Sequence, residues 1–184
     1  GGEVDLSILE RTRCLYLDGH EEFAVVAARR ARELGVPVVL DCERIRPFTE
    51  ELLGLCDVVL CNATFPRAFT EAPAIRHQLL SLSGYDMDVL GMTLGDQGAV
   101  LLSGDRLLHS PAYPADVVDT TGAGDVFHAG YTWAYLDGQP EHRCLEFAGA
   151  AAAFKCEALG GRSGIPRDPD LIWQRVNART ARRD

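Results

Sequence analysis

Residues 119–127, DTTGAGDVF, combine the residue types that can hold a phosphate group and move a proton. Gly122, Ala123 and Gly124 have small side chains or none, which lets the backbone approach a ligand closely. A hydrophobic helix is predicted to begin here, and the unpaired N–H groups and the dipole at a helix start attract anions. The spacing therefore predicts an anion-binding turn.

Asp125 follows directly, in the first turn of that predicted helix. A carboxylate repels a phosphate group bound beside it, so Asp125 makes little sense as a phosphate ligand. It does make sense as a base that takes the proton of an incoming hydroxyl group. The local sequence alone leaves a second interpretation open, in which Asp125 simply caps the helix.

The same run resembles the second signature of the pfkB (ribokinase-like) carbohydrate kinases, which reads D-T-x-G-A-G-D and continues into a hydrophobic helix. The positions that agree are Asp119, Thr120, Gly122, Ala123, Gly124, Asp125 and Phe127. The resemblance implies that Asp125 is the catalytic base and contacts the substrate. It also implies that Gly122, Ala123 and Gly124 belong to the catalytic anion hole.

Two further loops resemble nucleotide-binding segments of the same family. Residues 93–98 match its T-x-G-x-x-G loop, between a predicted strand and a predicted hairpin, and residues 160–166 resemble the loop that closes over the nucleotide. The residues that the resemblance assigns to nucleotide binding are Asn62, Thr93, Gly95, Gly98, Gly124 and Gly160.

In many family members the loop that closes over the nucleotide also borders a monovalent cation. For this chain the resemblance then implies K⁺ as the cation, with Asp119, Thr121, Gly160 and Gly164 as its ligands. The residue pattern also allows a plainer alternative, in which Gly160 caps a helix and a turn follows it.

The chain departs from the family at the N-x-x-E motif, because Phe65 stands three residues after Asn62, where the family has Glu. In the family that Glu helps to order Mg²⁺ and its waters. The resemblance still implies ATP and Mg²⁺ as cofactors. Two arrangements of the metal stay open: Glu71 or another acid takes the place of the missing Glu, or ATP itself holds most of the Mg²⁺. Residues 65–73 are also similar to a little-characterised plant and algal branch of the family.

Strand-like and helix-like segments alternate around these motifs. Continuous β-branched runs predict buried strands, and apolar residues at helical spacing predict helices. The predicted strands are 14–17, 36–40, 57–61 and 88–94, with a hairpin of 98–103 and 106–113; the predicted helices are 21–34, 48–55, 66–83 with a break near Pro73, 123–136, 140–156 and 169–180. This order predicts an α/β, three-layer α-β-α fold with a mostly parallel sheet and flanking helices, the ribokinase-like arrangement.

Members of the pfkB family are longer than this chain of 184 residues. We therefore expect residues 1–184 to be the C-terminal nucleotide-binding and catalytic part of one ribokinase-like domain, with the N-terminal substrate and lid part absent. The sheet should then have an open apolar edge, completed by a longer polypeptide or by a second chain, and a homodimer stays open. Asp18 is a candidate substrate contact, and the alternative for it is a turn that caps a helix.

The bulk composition argues against several other classes of protein. A net charge of −9 and a pI of about 5.0 disfavour nucleic acid as a partner. No apolar run reaches the ~20 residues that a membrane span needs, so no membrane partner is expected. The six cysteines form no C-x-x-C pair and mostly lie in apolar runs, which favours reduced, buried thiols in the cytoplasm or another reducing compartment, organelles included.

The predicted function is ATP-dependent phosphorylation of a hydroxyl group on a sugar or related polyol, with ATP and a small hydroxylated substrate as partners. A second hypothesis is a kinase-like binding or assembly subunit without turnover, which Phe65 favours and the intact Asp125 motif opposes. A Rossmann-type dehydrogenase is excluded because G-x-G-x-x-G is missing after the first predicted strand.

Overall fold

The computed structural model describes residues 5–180, which contain six strands and six α-helices; strands and helices alternate as far as the fourth strand, and two further strands and then three helices follow. The strands are β1 (Leu15–Leu17), β2 (Val38–Cys42), β3 (Val58–Asn62), β4 (Val89–Thr93), β5 (Ala99–Ser103) and β6 (Arg106–Ser110). The helices are α1 (Glu22–Glu33), α2 (Thr49–Leu53), α3 (Ile75–Leu80), α4 (Ala123–Leu136), α5 (Glu141–Cys156) and α6 (Pro169–Thr180). Among these described helices, none has both the length and the apolar character of a membrane span.

The six strands hydrogen-bond to one another in the order of the sequence, from β1 to β6. β1 pairs with β2, and β2 with β3, in parallel, with Leu15 opposite Val38 and Val39 opposite Val58. The crossovers between these strands contain α1 and α2, as the alternating pattern predicts. The predicted α/β class with a mostly parallel sheet is confirmed.

The segment after β3 differs from the single broken helix that the sequence predicts. The structure has a 3₁₀ turn at Phe65–Ala68 and then, after a gap of irregular chain, α3. Inside that gap the Thr70 hydroxyl oxygen accepts the N–H of Ala72 at 3.2 Å. Pro73 has no N–H to offer a helical turn, so the predicted break is present but wider than expected.

The contacts divide the chain into two compact units. The first unit contains the residues up to Met92 together with Leu101–Leu107. The second unit contains Thr93–Val100 together with the residues from Leu108 onward.

The first unit has its core at β2 and β3, and β2 is buried along its whole length. α1 packs on β1 and β2, and its buried residues are mostly small: Ala24, Val25, Ala27, Ala28 and Ala31. β1, at the end of the strand order, is only half buried, and its Tyr16 is 38% exposed. The expected open edge therefore falls on β1, and what completes it stays a prediction.

The second unit is built on α4, α5 and α6. A Cβ atom on Gly130 of α4 would lie 3.2 Å from the Cα atom of Ala148 in α5, so these two helices touch backbone to backbone. Phe147 of α5 stacks on Trp133 of α4 with ring centres 4.8 Å apart, and its ring centre lies 4.7 Å from that of Trp173 in α6. The three helices thus form one packed group, and the glycine-rich turn leads into α4.

All six cysteines are free thiols, and four of them are buried: Cys42, Cys56, Cys61 and Cys144. Burial raises the pKa of the Cys56 thiol to about 12 and that of Cys144 to about 11, and it raises the pKa of Cys42 and Cys61 as well. Burial of the thiols is confirmed for these four, and their reduced state stays a prediction.

Candidate active site

The glycine-rich turn leads directly into α4, as predicted. Gly122 immediately precedes the helix and has a φ of 76°, in the left-handed region that residues with a side chain rarely adopt. A Cβ atom added there would lie 3.3 Å from the backbone of Gly161, which is tighter than ordinary van der Waals contact. Glycine is therefore favoured at this position both for its conformation and for space.

Three N–H groups of the turn have no acceptor in the described part of the chain. The Ala123 N–H donates to the Thr120 carbonyl oxygen at 3.0 Å and so closes the turn. Within residues 5–180, no protein group accepts the N–H of Gly122, Gly124 or Asp125. The resemblance also assigns Ala123 to the anion hole, but its N–H is engaged within the turn. Three N–H groups remain for an anion, and their binding of one stays a prediction.

Asp125 is the third residue of α4, and its side chain is exposed. Its Oδ2 atom lies 3.7 Å from the position of a Cβ atom added to Gly122, so the carboxylate stands against the turn. In the described chain, no side chain makes a cap hydrogen bond at the start of α4, and the helix-cap interpretation of Asp125 is therefore wrong. The carboxylate is open to solvent beside the N–H groups that an anion would occupy.

Asp119 ties the turn to the loop that follows α5. Its Oδ1 atom accepts the N–H of Thr121 at 2.8 Å, and its Oδ2 atom accepts the N–H of Gly160 at 2.7 Å. The hydrogen bonding from Thr121, and after it that from Gly160, lowers the pKa of the Asp119 carboxyl from its usual 3.8 to about 2. The ionised carboxylate is thus the form that fixes the turn.

The end of α5 holds the same segment through backbone oxygens. Lys155, the only lysine of the sequence, is fully buried, and its Nζ atom donates to the Asp119 carbonyl oxygen at 2.5 Å. A buried ammonium group needs such a partner. The Cys156 carbonyl oxygen accepts the N–H groups of Val118 at 2.8 Å and of Asp119 at 3.2 Å. The chain that enters the turn is therefore anchored on α5.

The residues predicted to bind K⁺ have other contacts. Both carboxylate oxygens of Asp119 and its carbonyl oxygen already accept hydrogen bonds. A Cβ atom on Gly164 would lie 2.4 Å from a carbonyl oxygen of α5, so glycine there serves close packing. Each of these Asp119 oxygens thus has a protein donor already, and K⁺ binding stays a prediction. The helix-cap alternative for Gly160 is wrong, because the C-cap of α5 is Glu157.

The predicted T-x-G-x-x-G loop lies between β4 and β5, as expected. β4 ends at Thr93, Gly95–Gln97 form a 3₁₀ turn, and the Leu94 N–H donates to the Gly98 carbonyl oxygen at 2.7 Å. Gly98 has a φ of 92°, and a Cβ atom there would lie 2.1 Å from the Ser110 carbonyl oxygen. Only glycine lets this loop lie so close to the end of β6.

A cavity of about 620 Å³ lies within the second unit, next to the glycine-rich turn. Its walls include Thr93, Gly95 and Gly98 from the loop after β4, and Ala123 and Gly124 from α4. The other lining residues are Asp96, Ala99, the segment 110–115, Val117, Thr120, Phe127, Gly149, Ala153 and Cys156. The cavity is mostly apolar inside, and it brings together two of the segments that the sequence assigns to a nucleotide.

The sequence did not predict two walls of this cavity. One is a stripe of small residues on α5, Gly149, Ala153 and Cys156, whose i, i+4 and i+7 spacing places them on one helix face. Small residues at helical spacing are a signal that could have been read. The other wall is the segment 110–115 after β6, whose position depends on contacts with distant parts of the chain.

Asn62 and Phe65 belong to the first unit, at the end of β3. The Asn62 Oδ1 atom accepts the N–H groups of Thr64 and Phe65, each at 3.0 Å, and so stabilises the turn that follows. Phe65 is 2% exposed and packs on Phe69, with ring centres 5.3 Å apart. Nucleotide binding by Asn62 stays a prediction.

The described part of the chain has no cluster of side chains ready to hold a metal ion. Within the described residues, no group of three or more His, Cys, Asp or Glu side chains could hold a metal ion. Phe65 is apolar and buried, and Glu71, the acid that the sequence offers nearby, is exposed.

Asp18 follows β1 and is exposed. α1 begins at Glu22, with Glu21 as its N-cap and without a side-chain cap bond. The alternative in which Asp18 belongs to a helix-capping turn is therefore wrong. A contact between Asp18 and the substrate stays a prediction.

The structure is thus an α/β protein in which a glycine-rich turn at the start of α4 lies beside a cavity of about 620 Å³. Residues 3–168 match the model of the pfkB family carbohydrate kinases, and the chain belongs to that family. The family and the ribokinase-like fold that the sequence predicts are thus confirmed.

Three known proteins show how far the similarity extends. A ribokinase from Arabidopsis thaliana is 31% identical over 176 residues, which are 90% of this chain and 46% of that protein. A nucleoside kinase from Methanothermobacter thermautotrophicus is 29% identical over 177 residues, 92% of this chain and 56% of that protein. The structure of Arabidopsis thaliana ribokinase complexed with ribose and ATP has a TM-score of 0.83 and 28% identity, over 93% of this chain and 58% of that chain. The chain spans about half the length of the curated relatives it matches.

Asp119→Asn tests the tie between the turn and the loop after α5. An amide has one acceptor oxygen, so it can keep only one of the two N–H bonds. Because the folded-state pKa is lowered, the carboxylate stabilises the fold above its usual pKa of 3.8, and this contribution is lost as the pH falls toward about 2. The variant should have a lower free energy of unfolding at neutral pH and lose less of it between those two pH values, measured by urea denaturation.

Asp105→Asn is the matched control, because it removes a carboxylate from the exposed turn between β5 and β6. Its unfolding free energy should follow the wild type across the pH range. An Asp119→Asn variant that also followed the wild type would contradict the role of the carboxylate.

Proposed function

We propose that the full-length protein is a kinase that transfers the γ-phosphoryl group of ATP to a hydroxyl group of a sugar or related polyol. The observation that carries the proposal is the position of the exposed Asp125 carboxylate against the turn whose N–H groups are open, at the start of α4. Membership of the pfkB family supports it.

ATP fits the cavity of the second unit in size and in chemistry. A volume of about 620 Å³ lies inside the usual range of small-molecule sites, roughly 300–1,000 Å³. Apolar walls with Val117, Phe127 and Ala153 suit a nucleobase, and the N–H of Gly124 suits a phosphate oxygen. The Arabidopsis thaliana ribokinase was solved with ATP, which supports the same ligand here.

In this proposal Asp125 accepts the proton of the acceptor hydroxyl while the hydroxyl oxygen attacks the γ-phosphorus in line. The bond from that phosphorus to the β–γ bridging oxygen breaks, and ADP leaves. The N–H groups of Gly122, Gly124 and Asp125 stabilise the charge on the transferred group. One preorganised donor of this kind contributes about 3 kcal/mol to the rate in well-studied enzymes.

In this proposal Mg²⁺ would be held mainly by the phosphates of ATP and would neutralise charge on their oxygens. This arrangement is supported by the described residues, in which no group of three or more His, Cys, Asp or Glu side chains could hold a metal ion. The residues of this chain that act are the amides of the turn and Asp125.

The acceptor site is completed by a further portion of protein, in the same polypeptide or in a second chain. The support for this is that the relatives are about twice as long as the matched part, and that β1 leaves a half-exposed sheet edge. The activities named for the relatives, ribokinase and nucleoside kinase, favour an acceptor that contains a ribose-like ring. Asp18, exposed after β1, is the acceptor contact that we propose from this part.

A second candidate function is a kinase-like binding or assembly subunit without turnover. The observation that favours it is the buried aromatic ring of Phe65, at the position where the family motif has a carboxylate. Such a subunit would bind ATP in the same cavity and would show no acceptor-dependent consumption of it.

Asp125→Asn removes the base but keeps the size of the side chain. Acceptor-dependent consumption of ATP by the full-length protein is first screened with sugars, sugar phosphates, nucleosides and polyols. With the best acceptor, the variant should lose roughly 10²- to 10⁴-fold in turnover, the usual contribution of a general base. Its Kd for a non-hydrolysable ATP analogue, measured by calorimetry, should stay close to the wild-type value.

Asp137→Asn is the control, since it alters a carboxylate at the opposite end of α4 and should change neither quantity. Equal losses of turnover and of nucleotide affinity in Asp125→Asn would point to a structural role. Wild-type protein that binds the analogue but phosphorylates no acceptor would favour the second candidate function.

The thiol of Cys156 tests where ATP binds. Cys156 lines the cavity, Cys14 lies in the first unit, and both are partly exposed. Bound ATP should therefore slow the alkylation of Cys156 by iodoacetamide and leave the rate at Cys14 unchanged. Peptide mass spectrometry measures both rates in one sample, so Cys14 serves as the internal control. Alkylation of Cys156 at the same rate with and without saturating ATP would place the nucleotide elsewhere.

A further inference from the structure

The wall segment, residues 110–115, cannot be held in place by strand pairing alone. β6 ends at Ser110, and Pro111 and Pro114 have no N–H groups to donate. Five consecutive residues from Pro111 nevertheless line the cavity. The position of this wall must therefore depend on contacts made by its carbonyl groups and side chains.

Two arginines of α6 make those contacts. The Arg179 Nη1 atom donates to the Pro111 carbonyl oxygen at 2.8 Å, and the Arg175 Nη2 atom donates to the Pro114 carbonyl oxygen. The arginines are four residues apart, which places them on one helix face about 6 Å apart along its axis. Each therefore holds one of the two prolines of the wall.

Both guanidinium groups are themselves held in a fixed orientation. Arg175 donates to both carboxylate oxygens of Glu157, at 2.7 and 3.3 Å, and lies 4.4 Å from the ring centre of Phe154. Arg179 lies 4.3 Å from the ring centre of Tyr113, which is part of the wall. A planar guanidinium can serve a carboxylate, a carbonyl group and an aromatic face together. Neither arginine lines the cavity, so both act through the wall.

The residue that holds Arg175 is adjacent in sequence to the residue that holds the glycine-rich turn. Glu157 directly follows Cys156, whose carbonyl oxygen accepts the N–H groups of Val118 and Asp119. Residues at the end of α5 thus contact both Arg175, which holds the wall segment, and the chain that enters the glycine-rich turn.

We propose that Arg175 and Arg179 are positioning residues of the nucleotide pocket, which set its affinity for ATP by keeping the wall segment in its binding-competent place. The proposal rests on the proposed function, since it takes the cavity as the ATP site. If the wall is in place in only a tenth of the molecules, the apparent Kd rises about tenfold. Neither arginine touches the reacting groups, so turnover at saturating ATP does not change.

Arg175→Ala and Arg179→Ala in the full-length protein test this proposal. Each should lower the backbone order parameters of Ala112 and Tyr113, measured by amide NMR relaxation. Each should also raise the Kd for a non-hydrolysable ATP analogue about tenfold and raise KM for ATP by a similar factor, with kcat close to wild type. A merely structural role would not separate KM from kcat in this way.

Arg143→Ala is the matched control, because Arg143 makes contacts of the same kind away from the wall. It lies 4.7 Å from the ring centre of Trp173 and donates to Glu146 and Asn177, each at 2.8–2.9 Å. Its loss should lower stability without raising KM for ATP.

Lysine substitutions sharpen the test. Arg179→Lys should restore most of the affinity, since an ammonium group can donate to one carbonyl oxygen and lie over one ring. Arg175→Lys should not, because Arg175 serves Glu157 and Pro114 together and an ammonium lacks the planar fork for both.

Unchanged order parameters in both alanine variants would overturn the role of the arginines in holding the wall. Lower order parameters with an unchanged Kd would overturn their role in affinity, and so would equal losses in kcat and in affinity. Wild-type protein that binds no ATP analogue would overturn the proposed function itself. In that case the order parameters would still decide whether the arginines hold the wall.

Discussion

The carboxylate of Asp119 makes the contact on which the candidate site depends. It accepts the N–H of Thr121, two residues away, and the N–H of Gly160, 41 residues further along the chain. The first bond shapes the turn, and the second ties the turn to the loop after α5. With the turn fixed in this way, its N–H groups are aimed before a ligand arrives. Donors that need no reorganisation are what stabilises charge in phosphoryl transfer.

Space for backbone and ligand is the second constraint, and small residues supply it. Gly122 lies close against Gly161, where a side chain would be crowded, and Gly98 lies against the end of β6 at a distance that a side chain would prevent. Gly149 and Ala153 on α5 leave the cavity open where larger residues would fill it. Gly122 and Gly98 allow the loops to pack closely, and the small residues of α5 leave space for a ligand in the cavity.

The elements and the phosphate-facing turn could be predicted from the sequence because they follow local rules. Runs of β-branched residues marked β2 and β3, and glycines marked the start of α4. Contacts between distant segments could not be predicted. A sequence does not show that the Asp119 carboxylate accepts the Gly160 N–H, or that the Ala123 N–H is already engaged by Thr120. The sequence also does not show which carbonyl groups the arginines of a helix contact. The wall of the cavity, which depends on such contacts, could therefore not be predicted.

The central claim is that the open N–H groups of Gly122, Gly124 and Asp125 bind phosphate oxygens of ATP. The most direct measurement is amide NMR of the isotope-labelled full-length protein, titrated with a non-hydrolysable ATP analogue and Mg²⁺. The three amide resonances should shift strongly, and the Ala123 resonance should shift much less because its N–H stays with the Thr120 carbonyl oxygen. Strong shifts at the cavity walls with no shift at these three amides would contradict the claim.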